Sequence, residues 1–284
     1  MTERALVLGG GGITGIAWEL GLLAGLAERG VVLSGAGLII GTSAGSVVGA
    51  QIATGVDVEE RYTAQLAPPD GEVVARFGRA TMVRLGLAMI GPAMIGRGDA
   101  RRVRSRIGSI ALRTRTVPES ERIAVIARRL PVREWPERAL RVTAVDAHTG
   151  EFVVLDRDSG VSLVEAVAAS CAVPGVWPPV TAGGRRFIDG GMRSTANADL
   201  AGGSARVVVL APVTRGIGPL TGVAPQVAGL RAAGARVALV SPDEAAVRAI
   251  GRNVLDPTRR AAAARAGRVQ AAAVADEVTA VWED

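Results

Sequence analysis

Leu38-Ile39-Ile40-Gly41-Thr42-Ser43-Ala44-Gly45-Ser46-Val47 is an apolar run, a turn of small residues, and the start of a second apolar run. The three large aliphatic residues read as a short buried strand, and the chain from Val47 onward as an apolar helix. Gly41 and Gly45 lie two residues to either side of Ser43, the G-x-S-x-G spacing. A strand that turns directly into a helix at a serine crowds the positions two before and two after it, so both must lack a Cβ. The hydroxyl is then held up at a helix N-terminus, where developing negative charge is favoured. Such an elbow requires a parallel α/β framework, and the rest of the chain can be read for one.

The same rhythm occurs upstream. Residues 5–8 are a fully apolar strand, Gly9-Gly10-Gly11-Gly12 a loop, and residues 13–28 a helix stopped by Gly30. Gly10-x-Gly12-x-x-Gly15 presents backbone N–H groups and a helix N-terminus toward one point, which suits a phosphate or an oxyanion. A dinucleotide-binding loop has this spacing too, but it expects a carboxylate at the end of the second strand to hold a ribose. Here that strand ends in Gly41-Thr42-Ser43, which weighs against a nucleotide-binding module.

Downstream, residues 141–145 and 152–155 read as strands joined by a turn through His148-Thr149-Gly150, a hairpin. Residues 162–171 read as a helix ended by Pro174, and residues 206–210 and 236–240 as two further apolar strands. Residues 258–282 form a long amphipathic helix, capped near Asp256-Pro257. Apolar strands alternating with helices imply an α/β fold with a mainly parallel sheet covered on both faces. No repeat or composition break divides the chain, so one domain over residues 1–284 is expected, with a helical insertion at about 57–133. Within the insertion, residues 82–95 are unusually apolar and read either as a buried helix or as a lipid-facing cap.

Composition narrows the function classes. Hydrophobic residues make up 49% and charged residues 21%, enough apolar material for a core. All 33 basic residues are arginine, and the net charge of +6 favours peripheral contact with anionic surfaces such as acidic lipid head groups. Nucleic acid is not an expected partner: the arginines are scattered, and aromatic residues, 3% of the chain, do not interleave with them. The single cysteine, Cys171, sits in an apolar run and is expected to pack as a small hydrophobe. With one histidine and one cysteine no metal site is expected, and no cofactor is implied. The absence of a signal-peptide pattern, and of an apolar run of about 18 residues, gives a cytoplasmic protein as the expectation.

Asp189-Gly190-Gly191 follows the apolar pair Phe187-Ile188. Alone it reads as an ordinary turn, or as a carboxylate at a strand end with side-chain bulk removed beside it. With the glycine loop at Gly10, Gly12 and Gly15 and the elbow at Ser43, it resembles the patatin-like phospholipase family. Ala169-Ser170-Cys171-Ala172-Val173-Pro174, followed by Pro178-Pro179, adds a fourth similarity. The resemblance covers residues 6 to about 197. It implies a three-layer α/β/α sandwich and a Ser–Asp dyad in place of the usual histidine-containing triad. Carried over, Ser43 is the nucleophile, Asp189 the base, and backbone amides at Gly10, Gly11 and Gly12 the oxyanion hole, with lipid acyl esters as substrates.

Two departures stand out. Ile13-Thr14 occupies positions where many relatives carry a basic residue, so the loop itself supplies no charge for a phosphate. The Asn-Pro pair that often follows the aspartate motif is represented by Asn197 without the proline. The one histidine, His148, belongs to the hairpin turn and reads as solvated. The competing expectation from another class is a noncatalytic lipid- or acyl-binding regulator on the same scaffold.

Overall fold

A computed structural model of the protein describes residues 3–68, 99–216 and 221–283. The apolar segment at residues 82–95 lies outside these.

The chain opens with β1 (Arg4–Leu8), whose successive residues face opposite sides of the sheet. Leu6 and Leu8 join one apolar cluster, Ala5 and Val7 a second. The same division runs through β2 (Leu38–Gly41), where Ile39 faces the first cluster and Ile40 the second. Two apolar faces require two covering layers. The first is built from α1 (Gly12–Ala27), α2 (Ala44–Ala53) and α3 (Val58–Leu66), with α4 (Ala100–Arg113) and α5 (Glu119–Arg129) following in the chain.

β3 (Ala139–Asp146) and β4 (Phe152–Leu155) form the expected antiparallel hairpin. After α6 (Leu163–Ser170), entered through a Ser162–Glu165 capping box, come β5 (Val180–Ala182) and β6 (Arg185–Asp189). The chain then passes through β7 (Arg206–Leu210), α7 (Val223–Ala232), β8 (Arg236–Val240), α8 (Glu244–Ile250) and α9 (Arg260–Trp282). The eight described strands share one sheet, β5-β6-β3-β2-β1-β7-β8, with β4 alongside β3. β3, β2, β1, β7 and β8 run parallel, whereas β4, β5 and β6 join antiparallel. The fold is therefore α/β with a mixed sheet between helical layers, α7 covering the second face.

Two features of this framework place the site. First, α9 lies against α1 closely enough that a Cβ on Gly21 would enter the Ala264 carbonyl. Trp18 Nε1 donates to Gln270 Oε1 across the same contact at 2.9 Å, which fixes the direction in which the α1 N-terminus points. Second, β3 carries both strand ends that matter. Gly41 at the end of β2 pairs with Val142, and Asp189 at the end of β6 pairs with Ala144. A parallel and an antiparallel neighbour thus finish two residues apart on one strand. No helix among the described residues is long and apolar enough to cross a membrane.

Candidate active site

Ser43 leaves β2 with φ +52° and ψ −114°, a left-handed conformation that non-glycine residues rarely adopt. The strain is tolerated because the surrounding packing over-determines it. A Cβ on Gly41 would lie 2.5 Å from the Ser46 Cα, and one on Gly45 would enter the Leu8 carbonyl. Gly45 N–H uses that close approach to donate to the Gly9 carbonyl at 3.0 Å, joining elbow to glycine loop. Both glycines of the sequence motif are therefore required by geometry.

Three side chains clamp the Ser43 backbone. Its N–H donates to Ser170 Oγ at 2.9 Å, and its carbonyl accepts from Ser46 Oγ at 2.7 Å and from Cys171 Sγ at 3.2 Å. Ser170 and Cys171 belong to the small-residue end of α6, so this helix end supports the backbone of Ser43. Cys171 is buried as expected, but packing is not its whole role: it also donates to the elbow. Burial pushes its thiol up to about 11, which keeps it protonated as a donor.

Asp189 closes β6, and the Ser43 side chain holds its carboxyl down against the effect of burial. Its Oδ1 accepts from Gly191 N–H at 2.7 Å. A Cβ on Gly190 would run into Thr143 of β3, so the chain can turn here only at a glycine. The two groups are nearly shut off from solvent, Ser43 at 8% and Asp189 at 3% exposure, which makes the site dry. That burial raises the carboxyl from 3.8 to about 6, opposed by the bonds from Ser43 and Gly191 and by the charge of Arg122.

The glycine loop lies against the serine: a Cβ on Gly10 would be 3.5 Å from the Ser43 Cβ. One expected feature changes here. Gly10 N–H donates to the Thr195 carbonyl at 2.7 Å, so it is already spent and is not available to an oxyanion. Gly9 N–H is likewise taken, by the Leu210 carbonyl. The N–H groups of Gly11 and Gly12, at the start of α1, have no backbone acceptor among the described residues. The reason is topological: Gly10 continues the β1 backbone and pairs sideways with the chain, whereas Gly11 and Gly12 open a helix whose first donors have no partner. Gly15 packs against Pro212 and Ala44, which draws α1 against the elbow.

A buried polar network lies behind the two motifs. Thr42 Oγ1 and Thr143 Oγ1 share a hydrogen bond at 2.9 Å, and Asn197 Nδ2 donates to Thr42 Oγ1 at 3.0 Å. Asn197 itself is fully buried with φ +53°. The Asn197 counterpart suggested by the sequence thus lies directly behind Thr42. Thr143 carried no sequence signal, because a threonine in a strand is ordinary until its partner is known. Another acid, Glu19, is buried in α1 one turn beyond Gly15, and burial favours its neutral form.

His148 stands exposed in the β3–β4 turn, where Asp146 Oδ1 accepts from its backbone N–H. No group of three or more His, Cys, Asp or Glu side chains converges as a metal site among the described residues. A cavity of about 460 Å³ adjoins the elbow through Ile13 and Val47, with Arg122 and Trp177 on another wall.

A family model described as patatin-like phospholipase matches residues 6–201, which contain every motif named above. No curated protein sequence matches the chain. Among solved structures, the crystal structure of VipD from Legionella pneumophila is similar over 98% of this chain and 67% of its own, with 15% identity and a TM-score of 0.48. The type III effector protein ExoU is similar over 98% of this chain and 53% of its own, with 16% identity and a TM-score of 0.41.

Proposed function

The chain belongs to the patatin-like phospholipase family, whose chemistry is lipid acyl-ester hydrolysis, and we propose that it acts as a serine hydrolase through a Ser43–Asp189 dyad. The observation that carries this reading is a serine on a strained elbow whose side chain acts on the carboxyl of a buried aspartate, Asp189. A serine hydroxyl is a weak nucleophile unless a neighbouring base accepts its proton. An aspartate at its ordinary pKa is a poor base, and burial makes this one stronger.

In the first half-reaction, Asp189 takes the hydroxyl proton as Ser43 Oγ bonds to the ester carbonyl carbon. The carbonyl oxygen becomes an oxyanion, stabilised by the N–H groups of Gly11 and Gly12 and the positive end of α1. The ester C–O bond then breaks, and the leaving alcohol takes the proton from Asp189. In the second half, Asp189 removes a proton from water as it attacks the acyl carbon, and returns that proton to Ser43 Oγ as the acyl–serine bond breaks, releasing the acid. The substrate class is a lipid ester, whether phospholipid, lysophospholipid or glyceride, and no cofactor takes part.

Reaction of the protein with a fluorophosphonate tests the assignment. Intact mass should increase by one adduct, and the increase should be absent in Ser43→Ala. Labelling that persists in that variant refutes it. Turnover of a short-chain nitrophenyl ester that is equal in wild type and Ser43→Ala would instead favour the noncatalytic regulator.

A further inference from the structure

Every residue of α1 from Ile13 to Leu26 is buried, and only three of their side chains carry polar atoms. Thr14 Oγ1 donates to the Val254 carbonyl, and Trp18 Nε1 donates to Gln270. Glu19 has no such bond. It is 0% exposed, and neither carboxyl oxygen has a hydrogen-bond partner. An acid buried without a partner is costly, and a native fold that keeps one calls for a reason.

The position of Glu19 supplies one. Helical side chains lean toward the helix N-terminus, so this one reaches back along α1 toward the glycine loop. Burial presses its carboxyl toward the neutral form, and the one opposing influence is the Gly9 backbone. Gly9 is a junction: its N–H donates to the Leu210 carbonyl, and its carbonyl accepts from Gly45 N–H of the elbow. Two residues on, Gly11 and Gly12 hold the donors that have no backbone acceptor. No charged group of the elements packed on α1 acts on the carboxyl. α2 has no ionisable side chain, and Arg4 of β1 lies at the far end of the strand against Trp282. Arg268 of α9 binds Glu28 and Glu59, and Arg260 binds the carbonyls of Ala64 and Ala67. Arg61 of α3 pairs with Glu60, Arg248 of α8 with Glu244, and Arg259 binds α8 carbonyls. Arg265, Asp276 and Glu277 of α9 are exposed.

We propose that Glu19 is a positioning residue that acts on the glycine loop through Gly9, and that the site works only while this carboxyl is neutral. A neutral Glu19 leaves the Gly9 N–H to Leu210. A carboxylate in the same dry place competes for that N–H and loosens the junction between loop, β7 and elbow. It also sets a negative charge behind the amides that hold the oxyanion, which opposes the transition state. The two buried acids thus have opposite requirements, Asp189 ionised and Glu19 protonated, and activity lies between them. With no lysine and with one histidine, one tyrosine and one cysteine in the chain, few other side chains can lose a proton above neutrality. This inference rests on the hydrolase reading for its rate effect, but the state of the loop can be followed without turnover.

The test records kcat/KM for nitrophenyl butyrate from about pH 5 to about pH 10 in the full-length wild type, Glu19→Gln, Glu19→Leu and Cys171→Ser. Near-ultraviolet circular dichroism checks the fold at each pH. Wild type should lose about tenfold per pH unit along an alkaline limb while still folded, and both Glu19 variants should hold a plateau there. An alkaline limb unchanged in the folded Glu19 variants overturns the proposal, as does its absence from wild type or its coincidence with unfolding. A limb that moves in Cys171→Ser alone also overturns it, by assigning the proton to the thiol. Hydrogen exchange of the peptide spanning Gly9 to Ile13, corrected for intrinsic rates, reads the loop directly, even where a variant fails to fold. Wild type should lose protection there across the alkaline range while β7 keeps its own; unchanged protection of the loop overturns the proposal. Loss of protection without turnover at any pH removes the hydrolase and supports the role of Glu19. Turnover without an alkaline limb removes that role alone.

Discussion

The Asn197 side-chain amide donates to the Thr42 hydroxyl at 3.0 Å, although 155 residues separate the two. The same nitrogen donates to the Ser194 carbonyl at 3.0 Å and lies 3.4 Å from the Gly190 carbonyl. It has two hydrogens, so the two shorter contacts are its principal bonds. One buried side chain therefore ties the residue before Ser43 to the loop that follows Asp189, and holds the two strand ends in register.

This relation makes Asn197 a positioning residue with a separable signature. Asn197→Ala removes the amide and also places a Cβ-bearing residue without local hydrogen bonding at φ +53°, for an expected loss of about 2–4 kcal/mol of stability. Asn197→Gly relieves the backbone and should recover about 1 kcal/mol of that. Both should lower kcat with little change in KM, because the amide holds together the two strand ends that carry Ser43 and Asp189, the proposed dyad. Urea denaturation with ester kinetics checks this, and an unaltered kcat in a folded Asn197→Gly would remove the positioning role.

The identity of the base is open to direct test. Asp189→Asn should reduce kcat at least about a hundredfold with the fold intact, whereas His148→Ala should retain most activity. His148 has the better ordinary basicity but stands exposed in a turn, while Asp189 is buried against Ser43. A dead histidine variant beside a live aspartate variant would replace the dyad with an ordinary triad.

The pH dependence has a definite sign. Burial raises the Asp189 carboxyl from 3.8 to about 6, so between these values the native state holds a proton that the unfolded chain has lost. Stability contributed by this group therefore falls as pH rises through that window, by up to about 3 kcal/mol. Asp189→Asn should accordingly be more stable than wild type at pH 7 and nearly equal to it at pH 4. Catalysis needs the ionised form, so kcat/KM should rise with pH along a limb near 6. A stability difference of the opposite sign, or a flat rate profile between pH 5 and 7, would contradict the burial of an active carboxylate.

The elbow glycines can be compared with a glycine that carries no constraint. Gly45→Ala drives a Cβ into the Leu8 carbonyl and should cost about 1–3 kcal/mol or more, together with activity. Gly35→Ala meets nothing within 4 Å and should unfold within about 0.5 kcal/mol of wild type. Equal midpoints in denaturant would mean that the elbow relaxes freely.

Much of the architecture was legible in the residue order. β7 and β8 were readable in full, and β1 and β2 to within one residue, because buried parallel strands are continuous aliphatic runs bounded by glycine or turn residues. β5 escaped notice: Val180-Thr181-Ala182 is too short for a period to show, and it exists because Gly183-Gly184 folds it back on β6. The elbow at Ser43 was likewise visible from its flanking glycines, whereas Asp189-Gly190-Gly191 reads alone as an ordinary turn and stood out only through the family resemblance.

The amino-acid sequence by itself determined the α/β framework and the sharp strand-to-helix turn at Ser43, because steric exclusion of Cβ atoms is a local rule that leaves a local mark. Only the tertiary structure decided which backbone donors stay free. Gly10 and Gly11 are indistinguishable as letters, and their roles part because Thr195, distant in the chain, accepts from one and not from the other. It also decided that Asn197 and Thr143 lie behind Thr42, since hydrogen bonds act through space between segments whose order along the chain does not reveal their proximity.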